Sequence, residues 1–148
     1  MSDLPDNIPG WIKSHIELYQ RDPEAGHMWD SSALGGPGVL PTLLLTTTGA
    51  KSGAQRVLPL IYGTYNDQHV IIASKGGAPA HPAWFLNLQA DPNCGVQVAS
   101  DVYQAKAHVV EGEERQAIWD MMVGVYSPYT DYQAATDRQI PVVVLERL

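Results

Sequence analysis

The chain has 148 residues and a single cysteine, Cys94, so it reads as one domain with no internal disulfide and no cysteine zinc site. Its net charge of −7 disfavours a non-specific nucleic-acid binder. No run reaches the roughly 18 apolar residues of a membrane span, and the opening MSDLPDNIPG lacks the apolar core of a secretory signal, so a cytoplasmic protein without stable membrane insertion is expected.

In chain order, Trp11 to Gln20 predicts an amphipathic helix, with Ile12, Ile16 and Tyr19 at helical spacing. Asp22-Pro23 should stop it. Residues 30–41, DSSALGGPGVLP, read as a turn-rich linker. Strands are expected at Thr42 to Thr47, at Gln55 to Gly63 and at His69 to Ser74. Pro59 marks the second as an edge strand or a bulge, and residues 65–68 form a hairpin connection. Pro82 precedes a short helix, AWFLNLQA, closed by Asp91-Pro92. Two strands, Val96 to Ala99 and Val102 to Val110, lead to a helix opened by Glu113 and Glu114, acids at its positive end. A tyrosine-rich segment and a last strand, Pro141 to Leu145, complete the chain. Six strands with short connections favour antiparallel pairing in a small barrel with helices outside it.

Charge is unevenly placed. Residues 31–90 hold Lys51, Arg56 and Lys75 against one acid, Asp67. Buried strands carry few charges of either sign, which accounts for the missing acids but not for three cations around loops. TTTGAKSG, residues 46–53, is not a P-loop: its glycine spacing is wrong and a strand, not a long helix, follows. What remains is a hairpin turn whose amides, with Lys51, Ser52 and Arg56, can hold an anion; a plain solvated turn has the same pattern. SKGGAPAHPAWFLNL places Lys75 and two glycines before a helix start. There Trp84 and Phe85 can floor a pocket, while Leu86 and Leu88 read as core. Tyr126, Tyr129 and Tyr132 recur every three residues. They read either as hydroxyls around a flat ligand or as an amphipathic seam with wet tips. The five histidines show no metal spacing, and no nucleophile–base set stands out. A site of this kind points to an organic cofactor that carries the chemistry.

LLLTTTGAKSGAQRVLPL, ASKGGAPAHPAWFLNL and YSPYTDYQAATDRQIPVVVLE occur in that order over roughly residues 35–148. Together they resemble the deazaflavin-dependent nitroreductase and quinone reductase family of actinobacteria. The resemblance implies a mainly β (α+β) fold: a split β-barrel of about six antiparallel strands with flanking helices, like the flavin-reductase and pyridoxamine-phosphate-oxidase barrels. Residues 1–34 would be an N-terminal helix and linker, and residues 35–148 the deazaflavin-binding barrel of what is a single domain overall.

It also implies coenzyme F420, an 8-hydroxy-5-deazaflavin with a phosphate and a polyglutamate tail. Carried over by motif, Ala50, Lys51, Ser52, Arg56, Val57, Leu58, Pro59, Leu60 and Ile61 would contact that cofactor. Ile72, Ala73, Ser74, Lys75, Ala83, Trp84, Phe85, Leu86 and Asn87 would enclose it, with Tyr129 touching it. Many members carry a basic residue where this chain has Ala50. Tyr126, Tyr129, Tyr132 and Ser74 would serve hydride transfer to quinones, activated enones, coumarin- or aflatoxin-like lactones, or nitro-heterocycles. Some members associate with membranes through their N-terminal region; here Lys13, Glu17 and Arg21 mix signs, so any association would be peripheral. An FMN enzyme of the same barrel class and a non-enzymatic deazaflavin carrier are the alternatives, as monomer or homodimer.

Overall fold

The computed structural model describes residues 10–32 and 36–148. Helix α1 (Gly10–Arg21) runs into a second short helix, α2 (Pro23–His27). Asp22-Pro23 ends α1 as expected, and Asp22, in non-helical conformation, caps the separate helix that follows. Pro23 takes the first helical position, and the Asp22 carboxylate accepts from Ala25 N–H at 3.3 Å. Strand β1 (Met28–Asp30) lies at the start of the expected linker and pairs with the head of β2 (Val39–Thr48); residues 33–35 of that linker lie outside the described residues. The remaining strands are β3 (Gln55–Ile61), β4 (Gly63–Tyr65), β5 (Gln68–Ile72), β6 (Asn93–Val98), β7 (Asp101–Val109) and β8 (Val142–Arg147). Helices α3 (Ala83–Ala90), α4 (Gly112–Val125) and α5 (Pro128–Ala134) intervene.

The eight strands form one antiparallel sheet, in the order β1-β2-β6-β7-β8-β5-β4, with β3 also paired to β2. The sheet has two strands more than expected because two three-residue strands were not separable by pattern. The predicted Gln55 to Gly63 strand breaks at Tyr62 into β3 and β4. The β4–β5 hairpin turns on Asn66 and Asp67, both at positive φ (51° and 63°), as a two-residue hairpin of this hand requires.

Strand alternation sets the layers. Leu43 and Leu45 of β2, Ile71 of β5 and Val143 and Leu145 of β8 face the barrel interior, plugged by Trp84, Phe85 and Leu88 of α3. Their neighbours face outward. Val70, Ile72, Val142 and Val144 pack against Ile118, Trp119 and Met122 of α4 and Tyr126 and Tyr129. Leu44 and Val57 pack under Ile16 and Tyr19 of α1. The apolar run Leu43-Leu44-Leu45 is thus buried on both faces, one by the barrel and one by a helix. Ile16 and Tyr19 are fully buried, each contributing about 1.5–3 kcal/mol by area removed from water. The Tyr19 hydroxyl donates to the carbonyl of Thr42 at 2.9 Å and accepts from Ala99 N–H at 2.8 Å. Helix α1 is therefore stapled to β2 and to the β6–β7 turn.

β3 has a partner on one side only, β2, and Pro59, which has no N–H, sits opposite Leu44 in that ladder. Its other edge faces the opening between β3 and β5, where the barrel is split.

Candidate functional site

Two cavities open along that split, and they meet at Leu58 and Trp84. The first, about 710 Å³, lies between the β2–β3 hairpin and α3. The hairpin turn closes on itself: Gly49 N–H donates to Ala54 O at 2.7 Å, and Gly53, at φ +72°, donates to Gly49 O at 2.9 Å. Ser52 Oγ accepts from Ala54 N–H at 3.1 Å. The Asn87 side chain ties this turn to α3. Its Oδ1 accepts from Ala50 N–H at 3.0 Å and its Nδ2 donates to Thr47 Oγ1 at 3.1 Å. Arg56 stands opposite Thr47 in the ladder, so both side chains share the face that looks into the cavity. Lys51 and Arg56 are its charged lining residues, and no acid lines it.

The second cavity, about 480 Å³, is lined by β3, by the loop after β5 and by the tyrosines. Lys75, Gly76 and Gly77 take φ of 47°, 63° and 82° in succession, which turns the chain sharply from β5 towards α3. At Gly77 a Cβ would stand 2.8 Å from the Tyr132 carbonyl oxygen, so this glycine lets the loop press on α5. Arg138 holds the loop from the other side. Its guanidinium donates to the carbonyls of Ala78 (2.8 Å), Ala73 (3.2 Å) and Ser74 (2.7 Å), and to His81 Nδ1 (3.0 Å).

Tyr126 and Tyr132 hydroxyls lie 2.9 Å apart, and the Tyr129 ring meets Tyr126 edge-on at 4.9 Å. Burial, and then the hydrogen bond from Tyr132, pushes the Tyr126 phenol well above the usual tyrosine range. Burial does the same for Tyr129. Both phenols are therefore protonated at any physiological pH.

Nearly all residues singled out in the sequence converge here. Ala50, Lys51, Ser52, Arg56, Val57, Ala83, Leu86 and Asn87 line the first cavity; Pro59, Leu60, Ile61, Ile72, Ser74, Lys75 and the three tyrosines line the second. Leu58 and Trp84 line both. Two expected cofactor contacts line neither. Ala73 alternates inward with Ile71, and Phe85 lies on the buried face of α3, so both belong to the barrel core. Arg138 and the cavity-lining Trp11, His15, Trp29 and Thr42 were not singled out. They reach the site through tertiary contacts that no local spacing records. Among the described residues there is no cluster of metal-ligating side chains and no helix long and apolar enough to cross a membrane.

The model of the F420H(2)-dependent quinone reductase family matches residues 11–147. An F420H(2)-dependent quinone reductase of Mycobacterium tuberculosis is 35% identical over 147 residues, covering 95% of this chain and 99% of that protein. A solved structure of an F420-H2 dependent reductase superposes with a TM-score of 0.67 at 46% identity, over 72% of this chain and 94% of that one. A second, described as a domain-swapped dimer, superposes at 0.70 with 39% identity over 90% and 94% of the two chains. Similarity of fold alone extends to the haem storage protein HutZ of Vibrio cholerae, with a TM-score of 0.56 at 15% identity over 72% and 81%. The chain belongs to the F420H(2)-dependent quinone reductase family, oxidoreductases of split-barrel fold that use coenzyme F420.

Proposed function

We propose that the two cavities divide the reaction, the first holding the anionic tail of F420 and the second holding its ring against a quinone. The observation that carries this reading is the continuous split: an acid-free groove with Lys51 and Arg56 opens, past Trp84 and Leu58, into an apolar slot ending at paired tyrosine hydroxyls. The donor set fits the cofactor. The amides of Gly49, Ala50, Gly53 and Ala54 are already hydrogen-bonded within the protein, so it is the Lys51 and Arg56 side chains that suit a phosphate and carboxylates; the open edge of β3 offers main-chain groups to a heterocycle rim, and Trp84 and Ile72 offer apolar faces. The dependence of the family on F420H(2) leaves FMN without support.

When bound, reduced F420 supplies a hydride. The residues of this chain orient the acceptor and receive the charge that develops on it. Tyr126 and Tyr132 share one hydrogen bond, so one O–H in the pair stays available for the acceptor oxygen on which negative charge grows. The bond between them strengthens that donor. In a slot lined by Ile61, Ile72 and Trp84, water is excluded and such a donor stabilises charge more than in solvent. Ser74 adds a hydroxyl from the loop packed beside α5, its carbonyl fixed by Arg138. Beyond quinones, the same donor pair suits activated enones, coumarin- or aflatoxin-like lactones and nitro-heterocycles, each of which places charge on an oxygen after reduction. A homodimer is supported by the relative described as a domain-swapped dimer; sedimentation of the purified chain reads it.

The test is a binding titration with F420, then turnover of F420H2 with menadione for the wild type, Tyr126→Phe and Tyr132→Phe. Each variant should lower turnover about 100–1,000-fold, as loss of one transition-state hydrogen bond does, with F420 affinity within twofold. Binding without menadione-dependent oxidation in the wild type would instead indicate a carrier.

A further inference from the structure

The wall of the second cavity opposite the barrel is built by α1 and β1, and it is aromatic. Trp11 stacks on Trp29 with ring centroids 5.7 Å apart and planes within 13°. Trp29 in turn stacks on His15, at 6.4 Å and 16°. All three line the same cavity as Tyr126 and Tyr132. The ladder is anchored at its inner end, where His15 Nε2 is hydrogen-bonded to the carbonyl of Gly26 at 2.8 Å. The helix that carries it is fixed by Ile16 and Tyr19. Its outer end is open: Trp11 is 50% exposed, Trp29 is half-buried and His15 is buried. A rigid, stapled helix thus holds an electron-rich indole half in solvent at the mouth of a cavity.

Resting on the reductase reading above, we infer that this ladder is a stacking subsite that selects flat, fused-ring, electron-poor acceptors over single-ring ones. Two features argue for recognition over mere packing. Trp11 lies outside the buried clusters that hold the fold, so its ring is not needed to fill the core. The acceptors of a hydride are electron-poor π-systems; Trp29 is stacked against both Trp11 and His15, so the free face is that of the outer Trp11 indole, offered with little ordering cost because the ladder behind it is already in place. A second fused ring extends beyond the tyrosine end of the slot and meets the ladder; a single ring does not.

The experiment compares menadione, a fused bicyclic quinone, with 2,6-dimethylbenzoquinone, a single ring, for wild type, Trp11→Ala and Trp11→Phe at saturating F420H2. Calorimetric binding of menadione without cofactor and of F420 alone runs alongside. Trp11→Ala should lower the ratio of kcat/KM for menadione to that for the single ring at least fivefold. The loss should sit in the KM for menadione, with weaker menadione binding and unchanged F420 affinity, and Trp11→Phe should restore most of the ratio. An unchanged ratio, or an equal loss for both quinones, overturns the inference. Failure of the wild type to turn over either quinone while binding F420 overturns the reductase reading instead; the menadione calorimetry then still decides whether the ladder binds fused rings.

Discussion

Arg138 is the residue whose removal should most clearly separate a scaffold role from a packing role. Its guanidinium makes four hydrogen bonds, three to carbonyls of the loop that carries Ser74 and Lys75 and one to His81. Lysine at this position is a single point charge and cannot span carbonyls of Ala73, Ser74 and Ala78 together. Hydrogen bonds to a charged group contribute about 1.5–3 kcal/mol each, but Arg138 is half-exposed and water replaces part of what is lost. A net loss of about 2 kcal/mol for Arg138→Lys follows, roughly the difference between a formed loop and one open a large part of the time. Because the loop lines the second cavity, proposed above to hold the F420 ring, this cost falls on ligand binding: F420 should bind about 30-fold more weakly, the factor that 2 kcal/mol corresponds to. Amide hydrogen exchange at residues 74–78 should speed up, while exchange in β8 and α4 stays slow. Calorimetry and exchange mass spectrometry read the two quantities. F420 affinity within twofold of wild type, with loop exchange unchanged, would refute the clamp.

The cation groove makes a second prediction. Lys51→Ala and Arg56→Ala should each weaken F420 binding, by up to about tenfold for the half-buried Arg56 and less for the exposed Lys51. The difference should shrink in 0.5 M salt as screening removes the Coulombic part. Loss of kcat at saturating F420H2 with intact affinity would remove them from tail binding. A third concerns pH. Burial, and secondarily the Arg138 charge, holds His81 below the ordinary imidazole range. Burial likewise depresses His69, whose Nδ1 is hydrogen-bonded to Tyr103 at 2.5 Å. Both are neutral in the fold where the unfolded chain takes up protons. Stability should therefore be held above about pH 6.5, the unfolded value, and lost progressively below it. Melting temperature should fall between pH 7 and 5, less steeply in His81→Gln; a rise on acidification would contradict both shifts.

The barrel was legible in the sequence because its strands are short apolar runs bounded by turn residues. Leu43 and Leu45 against Leu44, and Val143 and Leu145 against Val142 and Val144, state both packing faces in one run of residues. The Lys51 turn and the Tyr126–Tyr132 spacing were legible because each lies within a few residues of chain. β1 was not, since three residues without an alternating core pattern become a strand only when β2 is beside them. Phe85 illustrates the reverse limit: it neighbours Trp84 in sequence, yet the helical turn sends it into the core. Arg138 and the Trp11–Trp29 stack bring together residues 18 to 65 positions apart, and nothing local announces such pairs.

The two cavities share only Leu58 and Trp84, and they are built from different parts of the chain. The hairpin and α3, which line the first cavity, are integral to the barrel. Trp11 and His15 sit on α1, laid against the barrel from outside, and Trp29 on β1, the strand at the edge of the sheet. On the proposed division of the site, substitutions on α1 and β1 re-tune which acceptor is reduced while the groove proposed for the coenzyme stays untouched. The architecture thus behaves as a constant electron-donor socket with an exchangeable faceplate, a division that lets one scaffold diversify its acceptors one surface at a time.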